Sequence, residues 1–259
     1  MKRKNVEYLG TMLHKRIDYS FMSLYNIFGS KSNECEVRMD YRELAEAVGP
    51  RTGATQEWVF RVLKEGIISG KLKGGTQLKQ DEVSSALTVS HIPVREALRQ
   101  LEAQGLVTIH PNRGSTVTQL SRSSLEDMME IRASISYYIA RRAIPLMSEE
   151  DFDELQAVID EQKITSELFE DERLNYKFHE LLTRRANNKV ADMFIELIHC
   201  NADRYLRDAL YSDPSRRSQS IQEHQAILDA CWAGEVDKAS TLLHDHILDA
   251  RKYIPDDLE

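Results

Sequence analysis

The stretch from residue 56 to residue 119 carries the most restrictive pattern in the sequence, a fixed order of short helices followed by two short strands. Apolar residues at helical spacing predict helices over residues 56–68, 80–87 and 91–104, and Gly105 ends the last of them. The β-branched runs LVTIH and STVTQL flank PNRG, which indicates a β-hairpin. This order of elements predicts a winged helix-turn-helix domain.

A winged helix-turn-helix domain has a defined DNA-binding side. Its second helix-turn-helix element lies in the major groove, with its N-terminal residues facing base edges. The helix over residues 91–104 opens with hydrogen-bonding side chains and carries two arginines one turn apart, and guanidinium groups bind guanine edges or phosphates. The wing turn offers an arginine for the minor groove and a glycine that allows close approach. We therefore predict contacts to double-stranded DNA from Ser90, His91, Arg95, Arg99, Arg113 and Gly114.

Charge is unevenly distributed along the chain, whose formal net charge is −8. Residues 56–120 hold eight Lys or Arg and six Asp or Glu, whereas residues 121–259 hold 17 and 29. Because a DNA-binding surface needs only local positive charge, the overall acidity does not exclude nucleic acid as a partner. We expect the acidic part of the chain to face away from phosphate.

The sequence after residue 124 is wholly helical in pattern. Apolar residues recur at spacings of three and four and predict helices over residues 123–144, 148–163, 167–186, 188–211, 214–233 and 235–252. The predicted fold is therefore mainly α, with an N-terminal winged helix-turn-helix followed by an all-helical bundle. We divide the chain into an N-terminal extension (1–55), a winged domain (56–119), a linker (120–124) and a helical ligand-binding and dimerisation domain (125–255).

The extension over residues 1–55 has the weakest pattern. An apolar stripe over residues 13–28 and the motif DYRELAEAVG (40–49) predict helices, but no chemistry is visible there. No apolar run in the chain approaches the ~20 residues that a membrane span needs. The three cysteines are scattered and odd in number, which favours a reducing compartment. We therefore expect a cytoplasmic protein without membrane contact.

Histidines in the helical region suggest a metal site. Asn175 and His179 are four residues apart and share one face of a helix, while His224 and His246 lie on two later helices. Three imidazoles and one side-chain oxygen suit a divalent transition metal such as zinc or nickel. Spacing alone leaves open the alternative that these histidines are surface residues or hydrogen-bonded members of the core.

The segment SHIPVREALRQLEAQGLVTIHPNRGSTV, with GIISGKLKGGTQLKQDEVSSAL upstream of it, resembles the signature of GntR-superfamily transcription regulators. It departs at His91-Ile92, where the family usually has Arg-Thr, and at Thr88, where a turn glycine is usual. Arg95 matches the arginine of the family's VREAL motif. The resemblance implies a homodimeric repressor, not an enzyme, that reads a near-palindromic operator.

The C-terminal two-thirds of the chain is similar to the all-helical FCD effector domain of the fatty-acid-regulator branch of that superfamily. Asn175, His179, His224 and His246 fall on the positions of its metal ligands, although Asp is common where this chain has Asn. Arg132 matches an inward-facing arginine, which implies that it binds a small carboxylate effector. Further cationic candidates, which we expect to be mostly solvated, are Arg184, Arg185, Arg204 and Arg207.

Two other classes of function remain open at this point. A metal-dependent hydrolase would use the same histidines and a metal-bound water, and it would also need a general base. Glu223 and Asp245 each adjoin a histidine in sequence, so on a helix they point about 100° away from it. A helical interaction protein with a degenerate DNA-binding domain would instead account for the departure at His91-Ile92.

Overall fold

The computed structural model describes residues 40–111, 113–211, 214–254 and 258, with all their side chains except those of residues 168, 169, 203 and 207–211. The helix predicted over residues 13–28 lies outside this part of the chain. The described residues form two hydrophobic cores, one drawn from residues 41–117 and the other from residues 120–254. The fold class predicted from the sequence, a winged helix-turn-helix followed by a helical bundle, is confirmed.

The N-terminal core belongs to the winged domain. Its sheet is antiparallel in the order β1-β3-β2, and α2 packs against α4 through fully buried apolar side chains that include Val62, Val94 and Leu98. The sequence pattern did not reveal β1, because two residues are too few to show alternation. The elements are α1 (Tyr41–Val48), α2 (Thr55–Ile68), β1 (Gln77–Leu78), α3 (Gln80–Leu87), α4 (His91–Ala103), β2 (Val107–His110) and β3 (Gly114–Val117).

Helix α1 packs onto the winged domain. Tyr41, Leu44 and Val48 are buried and contribute to the same core as α2 and α3. The indole Nε1 of Trp58 donates a hydrogen bond to the carbonyl of Gly49 at 3.0 Å, which fixes the loop between α1 and α2. The motif over residues 40–49 is therefore a helix, and it enlarges the core of the winged domain.

The turn between α3 and α4 contains a threonine in the left-handed region. Thr88 has φ 53° and ψ 50°, a conformation that costs a residue other than glycine roughly 1–2 kcal/mol. The following residue, Val89, donates its backbone N–H to the carbonyl of Ser84 at 3.0 Å and holds the turn in place. The helix-turn-helix geometry is thus retained where the resembled family usually has glycine.

The helical domain contains six α-helices among its described residues, close to the predicted bounds. Ser148 and Asp151 form a capping box at the start of α6. None of the helices in the described ranges is both long and apolar enough to cross a membrane. The helices are α5 (Arg122–Ala143), α6 (Glu149–Ile164), α7 (Leu168–Arg184), α8 (Lys189–Tyr211), α9 (Pro214–Trp232) and α10 (Val236–Asp249).

Helix α8 joins the two cores. Asn201, Arg204 and Tyr205 hydrogen-bond to backbone groups at the end of α4, after β3 and in the linker, over distances of 2.9, 2.5 and 3.0 Å respectively. Asn201 is only 2% exposed. These contacts connect the end of the predicted recognition helix directly to the bundle, and they show that Arg204 serves this junction.

Candidate nucleic-acid interface and metal centre

Helix α4 has one face in the core of the winged domain and one face in solvent. Val94 and Leu98 are fully buried on the first face. The side chains of Arg95 and Arg99 are 52% and 61% exposed on the second, and Glu96 lies within 3.5 and 3.3 Å of them. Since the buried face fixes the rotation of the helix, both guanidinium groups project outward, as a groove-reading helix requires.

The N-terminal end of α4 is also exposed. Ser90 occupies the N-cap position, and Nδ1 of His91 lies 3.4 Å from a carboxylate oxygen of Asp81. Ile92 is 65% exposed, which is unusual for a large apolar side chain. An exposed aliphatic group at this end of the helix is suited to contact with a thymine methyl group.

The wing turn presents the two residues that the sequence singled out. Arg113 and Gly114 are both exposed, and the backbone carbonyl of Arg113 accepts a hydrogen bond from the Gln77 side chain at 3.3 Å. Gly114 has φ +86°, which a residue with a side chain rarely adopts. All six predicted DNA-contact residues therefore lie at exposed positions on α4, at its N-cap or in the wing turn.

Three histidines converge in the helical domain. His179 on α7, His224 on α9 and His246 on α10 place ligand nitrogens within 4.8 Å of one another. Nε2 of His224 lies 3.3 Å from Nε2 of His246. Zinc–nitrogen bonds of about 2.0–2.1 Å in a tetrahedral site separate two ligand nitrogens by about 3.4 Å. The observed spacing therefore fits two ligands of one metal ion.

Hydrogen bonds fix the tautomers of two of these rings. Nδ1 of His246 lies 2.6 Å from Oε2 of Glu223, and Nδ1 of His224 lies 3.0 Å from Oε1 of Gln162, so each Nδ1 carries the proton. The amide of Gln162 is oriented by Asp171, which accepts from its Nε2 at 3.5 Å. Both facing Nε2 atoms consequently present lone pairs, which repel unless a cation lies between them. The donor set fits a divalent metal.

Burial keeps these imidazoles neutral. It lowers the pKa of His179 and of His224 well below the usual range, and the neighbouring His246 adds to the effect. For His246, burial lowers the pKa, although the hydrogen bond to Glu223 acts in the opposite direction. Burial alone would raise the pKa of Glu223, but the contacts with His246 and Arg216 lower it to about 2. A neutral imidazole is the form that binds metals.

We expect the metal-free helical domain to become less stable as the pH falls below about 6.5. The buried histidines stay neutral in the folded state, whereas in the unfolded chain they take up protons near pH 6.5. The unfolded state then binds more protons, so the free energy of unfolding falls by up to about 1.4 kcal/mol per pH unit for each histidine.

Urea unfolding between pH 7.5 and pH 5.5 in the presence of EDTA measures this dependence. The variant His110→Gln removes an exposed histidine of the winged domain, and its free energy of unfolding should change with pH as much as that of the wild type. A free energy of unfolding of the helical domain that does not change over this interval would contradict the expectation.

A cavity opens beside the histidine cluster. The space between its walls is about 580 Å³ when the open solvent at its mouth is included. Asn175, His179, His246 and Arg132 line it, and Arg132 is only 8% exposed. His224 is not part of this lining, but its Nε2 lies 3.3 Å from Nε2 of His246. The structure thus brings together all five residues predicted to form the pocket.

Other groups around the pocket were not apparent from the sequence. Glu223 had been considered only as a general base, but it accepts hydrogen bonds from His246 and from Arg216, the latter at 3.1 Å. Gln162, on α6, binds His224. The one sequence signal for Glu223 was its position before His224, and neither partner is a close neighbour in sequence: His246 lies on α10, and Arg216 lies seven residues earlier on α9. Because Glu223 accepts hydrogen bonds from these two side chains, it is not available to act as a general base.

The remaining cationic candidates serve elsewhere. Arg184 and Arg185 each lie 2.7 Å from a carboxylate oxygen of Asp151, which is 2% exposed. Although burial acts in the opposite direction, these hydrogen bonds hold the pKa of Asp151 well below its usual range. The two arginines therefore stabilise the packing of α7 on α6. The side chain of Arg207 lies outside the described residues.

Comparison with known proteins assigns the chain to a family. Residues 55–117 match the model for "Bacterial regulatory proteins, gntR family", and residues 127–249 match the model for the "FCD domain". The HTH-type transcriptional repressor RspR of Escherichia coli K12 is 30% identical over 199 residues, which cover 76% of this chain and 87% of the relative. The chain belongs to the GntR family of transcriptional regulators. GntR regulators bind DNA and are not enzymes, which confirms the predicted class and excludes the hydrolase.

More distant relatives of this GntR regulator also match most of the chain. The gluconate operon transcriptional repressor of Bacillus subtilis is 22% identical over 171 residues, which cover 64% of this chain and 68% of the relative. A putative GntR regulator from Rhodococcus sp. RHA1, known from its crystal structure, has a TM-score of 0.62 at 23% identity. That match covers 77% of this chain and 96% of the other, and it shows that the two proteins share a fold.

Proposed function

We propose that this GntR regulator is a cytoplasmic, homodimeric repressor whose affinity for a near-palindromic operator changes when a small carboxylate binds at a metal-containing pocket. The observation that carries the proposal is the convergence of three neutral imidazoles beside a cavity lined by the buried Arg132. His179, His224 and His246, with the amide oxygen of Asn175, would hold zinc, nickel or a similar ion. The metal would supply a Lewis acid that binds a carboxylate oxygen.

The DNA contacts in this proposal come from α4 and the wing. Arg95 and Arg99 bind guanine edges or phosphates, and the positive end of the α4 dipole attracts phosphate near Ser90 and His91. Arg113 and Gly114 approach the backbone or the minor groove from the wing. Repression is supported by two relatives, RspR and the gluconate operon repressor, which are both repressors.

A homodimer is supported by an exposed apolar stripe on α8. Val190, Met193, Phe194 and Leu197 follow one another at helical spacing and are between 37% and 62% exposed. Contiguous exposed apolar residues of this kind mark surfaces that contact another protein. Two copies related by a two-fold axis would place two winged domains on two related half-sites.

The path from the pocket to the winged domain follows two helices. The predicted linker over residues 120–124 is shorter in the structure, because α5 already begins at Arg122, and α5 carries Arg132. Tyr205 on α8 accepts a hydrogen bond from the backbone N–H of Leu120 in this linker. A ligand that binds one arrangement of α5 and α8 more tightly than another would shift the position of α4, since only differential affinity moves such an equilibrium.

Selection of DNA from a random pool with the purified protein tests the proposal. The selected sequences should contain a near-palindrome, and binding should weaken steeply as salt concentration rises, because contacts to phosphate release counterions. Small organic acids added to the metal-loaded protein should change the operator affinity at least severalfold. An operator without symmetry would contradict the dimer, and an affinity insensitive to metal and to every acid tested would contradict the effector pocket.

A further inference from the structure

Ile92 is the second residue of α4, and its side chain points away from the core of the winged domain. It is 65% exposed. At about 100° per residue, it lies about 160° around the helix from Val94 and about 180° from Leu101, and both of these side chains are fully buried. Ile92 therefore stands near the centre of the outward face of α4.

The surface around this side chain is polar. Among the described residues from 40 to 120, Ile92 is the one large apolar side chain that is exposed. Its neighbours on the outward face include Arg95, one turn further on, and Arg99, about two turns further on. The winged domain thus buries or half-buries its other large apolar side chains and leaves this one beside the two arginines of the predicted recognition helix.

The position and chemistry of Ile92 favour contact with a thymine. In a helix-turn-helix, the N-terminal residues of the second helix face base edges. Isoleucine has no hydrogen-bonding group in its side chain, so it cannot bind a phosphate oxygen. The one aliphatic group on a base edge in the major groove is the C5-methyl group of thymine. The other base edges present hydrogen-bonding groups, and an aliphatic side chain would remove these from water without pairing them.

The spacing of Ile92 and Arg95 relates the thymine to the base that Arg95 binds. Three residues of an α-helix span about 4.5 Å along its axis, and base pairs follow one another every ~3.4 Å. Because both side chains project from the outward face of α4, they reach base pairs about one or two steps apart. The thymine is therefore expected within about two base pairs of the base bound by Arg95.

We propose that Ile92 is a specificity-determining residue, and that it contacts the C5-methyl group of a thymine in each half-site of the operator. The inference rests on the proposed role of α4 as the recognition helix, and it specifies one base of the operator. The contact removes apolar surface of Ile92 and of the methyl group from water, which is favourable. It distinguishes thymine from uracil and from cytosine, since both of these bases lack the methyl group.

Removal of single methyl groups from the DNA tests this contact in the full-length protein. In the operator selected from the random pool, each thymine is replaced in turn by uracil, symmetrically in both half-sites, which keeps the base pair and deletes only the methyl group. Fluorescence anisotropy should show that one such replacement weakens binding about fourfold per half-site, or about fifteenfold in the dimer, as expected for one buried methyl group in each half-site. At the same position, 5-methylcytosine should be bound more tightly than cytosine, because it carries the methyl group.

Three protein variants locate the contact. Ile92→Ala should bind the thymine and uracil operators with equal affinity, because the shortened side chain no longer reaches the methyl group, and its Tm should be close to that of the wild type. Ile164→Ala is the matched control: it removes an isoleucine that is 84% exposed at the end of α6, and it should keep the wild-type discrimination. Arg95→Ala, assayed at low salt, identifies the base pair bound by Arg95, because changes at that base pair no longer alter its affinity.

Each outcome decides a different part of the proposal. Selection of no sequence from the pool would refute DNA recognition by α4 and, with it, the role of Ile92. An operator with no thymine within about two base pairs of the base bound by Arg95 would refute the role of Ile92 and leave α4 as the recognition helix. Equal affinity of the wild type for thymine and uracil at each such position would do the same. Discrimination that survives in Ile92→Ala would assign the methyl contact to another residue and so refute the assignment.

Discussion

The variant Arg95→Ala is expected to lose specific operator binding while keeping its fold. A bidentate contact between a guanidinium and a base contributes about 1–3 kcal/mol, and a dimer makes it twice, so we expect a loss of about 2–6 kcal/mol, or roughly 30-fold to 10⁴-fold in Kd. The side chain is 52% exposed, and its one ion pair within the described part of the chain is a 3.5 Å contact with Glu96. Exposed pairs of this kind contribute little to stability, so the free energy of unfolding should change by less than about 0.5 kcal/mol.

Fluorescence anisotropy with the selected operator measures the affinity of this variant, and thermal unfolding followed by circular dichroism measures its stability. Arg142→Ala is a matched control, because it removes an exposed arginine from α5 in the helical domain. It should bind the operator as tightly as the wild type. If Arg95→Ala also binds with unchanged affinity and an unchanged footprint, α4 is not the recognition helix.

Among the predicted changes, removal of the metal is expected to alter the thermal stability of the protein most. A metal ion at 100 times its Kd stabilises the folded state by about 2.7 kcal/mol, which corresponds to roughly 5–10 °C in the Tm of a chain of this size. Dialysis against EDTA should lower the Tm by this amount, and zinc or nickel should restore it. The purified protein should contain one metal ion per chain by elemental analysis.

The variant His246→Ala should abolish this response. It removes one facing Nε2 atom and leaves His224 without its neighbour at 3.3 Å. His244→Ala is the matched control on the same helix, because His244 lies two residues away and hydrogen-bonds to Asp245. It should respond to metal like the wild type. Full metal content and an unchanged Tm response in His246→Ala would remove the proposed site.

Much of the fold could be predicted because each helix shows its period within a short window. The bounds of α3 agree with the prediction, and those of α4 and the bundle helices differ by a few residues at most. The strand β1 could not be predicted, because Gln77 and Leu78 become a strand only by pairing with β3. Helix α1 could be predicted as a helix, but its place in the core of the winged domain could not, since burial of Tyr41 and Leu44 depends on α2 and α3.

The candidate sites could also be predicted only in part. Residue type and helical spacing identified Arg95 as an outward cation and His179, His224 and His246 as candidate ligands. The sequence did not show that Gln162 orients His224 or that Glu223 orients His246, because each contact joins two different helices. It also gave no indication of Arg216, which looks like any other arginine at the start of a helix.

The sequence by itself determined the order of the elements, the outward face of α4 and the residue types available to the pocket. These properties follow from the repeat of a single helix or strand, which is set by contacts between neighbouring residues. Only the tertiary structure decided that α8 joins α4 to the bundle, that three imidazoles converge, and that two of them face each other with lone pairs beside buried guanidinium groups. Those arrangements depend on how helices distant in sequence cross and pack, and no short window of sequence contains that information.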